Sequence, residues 1–157
     1  MNNFPYLNNP FFLKEFDKLR IKVQYLKINV LTFFDERVIA EISGDSLGGN
    51  ISIDGSSAMR RTANLSMIVR DDEYSETNIK QLLGLNKKVE IFIGFKNTTD
   101  EYEDYPILWF PQGIYVIISQ NISHGLDGTN ISLTLHDKMA LLNGECGGVL
   151  PASVVFS

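Results

Sequence analysis

The chain is poor in the residues that build chemical sites. It holds one cysteine, Cys146, in 157 residues, which excludes an internal disulfide framework and a zinc site made of cysteines. His124 and His136 are the only histidines, and neither stands beside a Cys or an Asp/Glu set at metal-ligand spacing. Cations are outnumbered: 14 Lys and Arg against 19 Asp and Glu give a formal charge of -5, with no dense basic stripe. That balance argues against specific nucleic-acid binding, because phosphate contacts need clustered cations. No apolar run approaches the length of a membrane-spanning helix, and "MNNFPYLNNPFF" lacks the basic start and apolar stretch of a secretory signal. The expectation is synthesis in a cytoplasm with no stable membrane anchor. Phosphate loops, dinucleotide fingerprints, nucleophile elbows and zinc-protease helices are missing as well. No cofactor, no metal and no catalytic residue is expected, and the chain reads as a non-enzyme.

What is present is an ordinary globular composition, 44% hydrophobic and 21% charged, with length for one substantial core. Residues 1–20 read as an N-terminal arm, 21–145 as a β-barrel domain, and 146–157 as a C-terminal extension suited to pack on a partner. The arm carries Phe4, Tyr6, Phe11 and Phe12 in a segment too short to bury them alone, so it is expected to pack on its own barrel or on a neighbouring subunit. Leu13 to Leu19 can supply a turn or two of helix.

From Ile21 onward the dominant signal is alternation of apolar and polar residues, interrupted by Gly, Asn, Asp and Ser clusters. Leu26, Ile28 and Val30 form one row and Val38, Ala40 and Ile42 the next, joined as a hairpin through "DER". "SGDSLGG" reads as a break before Ile51 and Ile53. Leu65, Met67 and Val69 follow, then Val89, Ile91, Ile93 and Phe95, and finally Ile131, Leu133 and Leu135. Ile114 to Ile118 is apolar at nearly every position and should be covered on both faces, one of them through a subunit contact. Seven or eight strands are expected between 21 and 136, with no internal repeat. Ile79, Leu82 and Leu83 stand at helical spacing behind Thr77 or Asn78 as N-caps, so one short crossover helix is placed at about 78–84. The fold class is mainly β: a single antiparallel barrel, or a tight sandwich, whose closure hides strand edges.

The polar clusters have structural readings. Asp71, Asp72, Glu73 and Glu76 lead into the helix N-terminus, where negative charge is favourable. Asp100, Glu101, Glu103 and Asp104 lack the glycine-turned spacing of a calcium loop. With Tyr102 and Tyr105 interleaved they suit a solvated or protein-binding loop tip. Arg60 and Arg61 could clamp a partner's carboxylate. In "TNISLTLHDKMALLNG" the period changes at Asp137. The residue is expected to cap a helical turn that buries Met139, Leu141 or Leu142 and closes at Gly144, both Asp137 and Gly144 being structural caps.

The order of "GNISIDGSSAMRRTANLSMIV", "NKKVEIFIGF" and "FPQGIYVIISQNISHGLDGTNISLTLHDKMALLNGECGG" resembles the β-barrel module of phage tail baseplate and tail-hub proteins, from phages of low-GC Gram-positive hosts. The likeness covers about residues 25 to 151. It implies a tail-tube-like barrel assembled as a homo-oligomeric ring around a tail channel. The implied location is the virion's tail tip or baseplate, in a distal-tail or hub position, assembled in the host cytoplasm. Implied partners are the tail tube, the tape-measure end and wedge or fibre proteins. Candidate interaction residues are Phe4, Tyr6, Phe11, Phe12, Arg60, Arg61, Tyr102, Tyr105 and Trp109, and an acidic channel wall that repels passing DNA is a further expectation. The alternative is a receptor- or carbohydrate-binding β-sandwich of a virion, using Trp109, Tyr102 and Tyr105 as a stacking platform.

Overall fold

A computed structural model describes residues 4–17, 24–57, 60–70, 76–84, 87–98 and 100–142. Six antiparallel strands close into a barrel: β1 (Gln24–Leu31), β2 (Val38–Ile53), β3 (Arg61–Val69), β4 (Lys88–Lys96), β5 (Ile107–Gly125) and β6 (Gly128–His136). Around the barrel the order is β1-β2-β3-β6-β5-β4, with β1 paired to β4. Helix α1 (Pro10–Asp17) lies in the arm and α2 (Glu76–Leu82) connects β3 to β4. The antiparallel barrel and the single crossover helix are as the sequence predicts.

The strand break expected at "SGDSLGG" is absent, since that segment lies within the 16-residue β2. "PQG" likewise lies within one strand, the 19-residue β5, and the described strands number six rather than seven or eight. Each long strand changes partner partway along. β2 pairs with β1 up to Asp45 and with β3 from Asp45 to Ile53; β5 pairs with β4 up to Val116 and with β6 from Val116 to Gly125. A bulge marks both switches, at Ser46/Gly48 in β2 and at Ile117/Ser119 in β5. Bulges bend and twist a strand, which lets it leave one sheet and enter another.

The barrel is therefore two layers sharing their marginal strands. The first layer is β2 (first half), β1, β4 and β5 (first half); the second is β2 (second half), β3, β6 and β5 (second half). The chain order also repeats, since β1-β2-β3 and β4-β5-β6 are matching meanders, each with a long middle strand. No sequence similarity announces this topological repeat.

Between the layers lies one apolar core that includes Leu26, Ile28, Val30, Ile42, Leu65, Met67, Val89, Ile91, Ile117, Ile131, Leu133 and Leu135. Most of the expected inner rows are there. Ile53, at the end of β2, is instead 75% exposed, and Phe95 joins an aromatic cluster outside this core. Tyr115, Val116 and Ile117 are all fully buried, as expected of a strand covered on both faces. Helix α2 starts two residues before the expected segment, so Thr77 and Asn78 lie within it rather than capping it. Ile79 in the helix and Leu83 just after it are completely buried. The acidic residues 71–75 fall outside the described residues, as do Gly144 and the extension 146–157.

Candidate interaction surface

Aromatic residues of the arm pack on the outer face of β4 and β5. Phe4, Tyr6 and Phe12 are buried with Phe92 and Leu108, and Tyr102, Tyr105, Trp109 and Phe110 are partly buried against them. Tyr6 meets Phe4 at a ring-centroid distance of 5.5 Å and Phe12 at 5.8 Å, and Tyr102 meets Phe12 edge-on at 4.8 Å. Of the two destinations expected for the arm, its own barrel is the one it occupies. Lys27 sits within the cluster, its ammonium 4.8 Å from the Phe92 ring centre and 5.0 Å from that of Trp109, with the Glu41 carboxylate at 3.5 Å. Aromatic faces and a carboxylate together offset the cost of desolvating a buried ammonium.

The Tyr6 hydroxyl does more than fill space. It accepts a hydrogen bond from the Trp109 backbone N–H at 2.6 Å and donates to the Trp109 carbonyl at 3.0 Å. Both groups belong to the first half of β5, whose side away from β4 has no strand partner among the described residues. One side chain thus satisfies a stretch of open sheet edge that would otherwise need water or another strand. Burial pushes the phenol up to about 12, although its bond to the Trp109 backbone pulls the other way.

The acidic loop is joined to the arm. Asn9 Nδ2 donates to Glu101 Oε1 at 3.0 Å and to the Tyr102 hydroxyl at 2.9 Å, while Asn9 Oδ1 accepts from the N–H groups of Phe11 and Phe12 at the start of α1. Tyr102, Tyr105 and Trp109 are consequently half-buried against the arm. Phe11 alone among the four aromatic arm residues named from the sequence stands out into solvent, 81% exposed.

Arg60 and Arg61 part company. Arg60 is exposed, whereas Arg61 is half-buried with its guanidinium carbon 5.6 Å from the Tyr115 ring centre. Asp137 is 6% exposed and bonds two segments at once: one carboxylate oxygen accepts from the Met139 N–H at 2.9 Å, the other from the Arg61 N–H at 2.9 Å. It caps the 3₁₀ turn Lys138–Leu141, as the change of period predicts. The buried residue of that turn is Ala140. Met139 is 42% exposed and Leu142 79% exposed, because the tight turn directs only one side chain inward. His124 bonds Thr129 across the β5–β6 hairpin at 3.0 Å, and no group of three His, Cys, Asp or Glu able to hold a metal occurs among the described residues.

The surface feature that the sequence reading missed lies on the second layer. Among the described residues, 46–53 of β2 have a strand neighbour on the β3 side only, and 119–125 of β5 on the β6 side only. These are the two margins of one four-stranded sheet. The β2 margin, "SLGGNISI", carries no Lys or Pro, and its bulge lies at the Ser46/Gly48 end. Leu47 is 58% and Ile53 75% exposed on it.

The outward face between these margins is nearly free of charge. Its rows are Ser52–Thr62–His136, Asn50–Asn64–Thr134–Ser119 and Gly48–Ser66–Ser132–Asn121, with Ser66 and Ser132 hydroxyls 3.1 Å apart. The charged pair Asp45–Arg70 stands at the end of the sheet. Alternation made these residues outward-facing in the sequence, but their union into one neutral face depends on strand order. No protein-family model matches the chain, and no curated protein sequence matches it.

Proposed function

We propose that this protein is a non-enzymatic structural subunit of a phage or phage-like tail. It forms a homo-oligomeric ring at the baseplate or tail hub and docks the tube and other baseplate proteins. The observation that carries the reading is the second layer, which has no strand partner along either outer margin among the described residues.

Four strands alternate in direction across that layer, so β2 and β5 run opposite ways at its two ends. When copies are placed side by side by rotation, β5 of one copy meets β2 of the next in antiparallel orientation. Such contacts are head-to-tail and close into a ring when the rotation permits, and each junction supplies the unpaired backbone groups with partners. The first layer has its β5 margin occupied by Tyr6, which leaves the second layer as the one suited to join copies.

A ring built this way presents the neutral Asn, Ser and Thr face of the second layer to its axis. This replaces the expected acidic wall: a hydrated uncharged surface offers DNA neither ion pairs nor long-range repulsion. Phe11, the exposed Phe34 of the β1–β2 turn and the acidic loop remain on other surfaces for tube, tape-measure-end, wedge or fibre proteins.

The test is native mass measurement across a concentration series. Wild type should give one closed stoichiometry, and Leu47→Lys with Ile53→Lys should shift it to monomer without changing the thermal transition. A wild-type chain that stays monomeric at every concentration contradicts the proposal.

A further inference from the structure

We infer that the β1–β2 turn is a preformed aromatic knob that docks on the acidic-loop end of a second copy of this chain, Phe34 of one copy meeting Phe11 of the next. The inference goes beyond the ring reading. It uses neither margin of the second layer, so the two contacts can fail separately.

The turn is built as a rigid element. The Thr32 N–H donates to the Arg37 carbonyl at 2.8 Å and the Arg37 N–H to the Thr32 hydroxyl at 2.8 Å, which closes the loop. Glu36 stands in the left-handed region, at a φ of 55°, a costly conformation for a residue with a side chain. Two lysines hold it there: Lys88, at the start of β4, donates to its carboxylate at 3.0 Å, and Lys138 pairs with the same oxygen at 2.6 Å. The Lys88 ammonium also lies 5.1 Å from the Phe33 ring centre, and Phe33 meets Phe34 edge-on at 5.1 Å. This network lies outside the core and ends on one ring, Phe34, which is 87% exposed. Strain over-determined by its surroundings is a mark of a preorganised site, and a fixed aromatic side chain loses little entropy on docking.

Charge and position identify the partner. Beside the knob, Arg37, Lys87, Lys88 and Lys138 outnumber Asp35 and Glu36. The balance reverses at the other end of the nine-residue β4, about 27 Å away at the rise of a strand. There the exposed Asp100, Glu101, Glu103 and Asp104 outnumber Lys96. Asn9 ties this loop to α1, and α1 carries Phe11, 81% exposed. Each end thus offers one phenylalanine standing in solvent, beside cations at one end and carboxylates at the other. The two ends cannot meet within one chain, because β4 holds them apart.

A second copy supplies the complement. Opposite charges around an apolar pair steer and orient two surfaces. The contact is head-to-tail, so any set of copies leaves one knob and one acidic end unpaired for other proteins. Exposed ion pairs are weak singly, and the contact is therefore read by cross-linking rather than by mass.

The test uses the full chain with Cys146→Ser in the Leu47→Lys, Ile53→Lys background, which takes ring formation out of the measurement. Oxidising a mixture of Phe34→Cys and Phe11→Cys chains should give a disulfide-linked heterodimer in excess of the share that random pairing gives. The excess should vanish in about 1 M salt, where the screening length is about 3 Å, and again when Glu103→Lys and Asp104→Lys are added to the Phe11→Cys chain. Phe34→Asp should leave the thermal transition unchanged. A mixed cross-link at or below the random share overturns the knob contact whatever the rings do, as does an excess that survives both salt and charge reversal. A lowered transition in Phe34→Asp overturns it too, since the ring would then be packed within its own chain. Cross-linking as expected from a wild type that forms no ring overturns the ring reading alone.

Discussion

Replacing Tyr6 with Phe isolates one hydroxyl in an otherwise unchanged ring cluster. Tyr6 is fully buried, and its hydroxyl is the shared partner of the N–H and carbonyl of Trp109. Deletion removes two hydrogen bonds worth roughly 1 kcal/mol each and leaves two partly buried backbone groups without that partner. Removing the buried hydroxyl itself offsets part of the loss, so the net destabilisation should be about 2–3 kcal/mol. For a chain of this size each kcal/mol lowers the melting temperature by about 2–4 °C, which predicts a fall of roughly 4–12 °C. Tyr6→Ala should cost more, because it also empties the space among Phe4, Phe12 and Phe110. Differential scanning calorimetry on the three proteins reads this directly. A Tyr6→Phe melting point within about 2 °C of wild type would refute the idea that the arm is sewn to the β5 edge through this hydroxyl.

Two further outcomes follow from the polar contacts. Asp137→Ala removes the cap of the last turn and the acceptor for the Arg61 N–H, and should lower stability by about 2 kcal/mol in urea titration. Asp137→Asn, which keeps one carbonyl acceptor, should cost less. Glu36 accepts from Lys88 at 3.0 Å and forms an ion pair with Lys138 at 2.6 Å, and the Lys138 and then the Lys88 interaction hold its carboxyl below the usual 4.5. A depressed folded-state value means that its stabilisation is present above the unfolded value and disappears as pH falls through the folded one. The difference in stability between wild type and Glu36→Gln should therefore be constant near neutrality and shrink below about pH 4; a difference that grows on acidification contradicts the clasp.

Some of this fold was legible in the residues because local pattern and tertiary role coincide. Leu26, Ile28 and Val30 alternate in the sequence and enter the core together. Asp137 follows a strand and precedes "KMAL", and its side chain caps the turn there. The long strands were hidden because glycine has two meanings. In "SGDSLGG" it signals a turn locally, yet a Cβ on Gly44 would lie 2.2 Å from the Ile68 carbonyl oxygen, and one on Gly49 2.3 Å from that of Asn64. These glycines permit close strand approach at a bulged corner, a requirement visible only once β3 is alongside. The arm's aromatic character was readable, but not its destination, since Tyr6 and Trp109 are 103 residues apart. The neutral face and the open margins were hidden for a related reason: which polar rows adjoin is a property of strand order.

The ring itself is the central claim, and native mass spectrometry on wild type beside Leu47→Lys with Ile53→Lys tests it most directly. A single closed oligomer that the two lysines reduce to folded monomer is the predicted result; wild type found only as monomer, or a ring indifferent to both substitutions, contradicts assembly through the β2 margin.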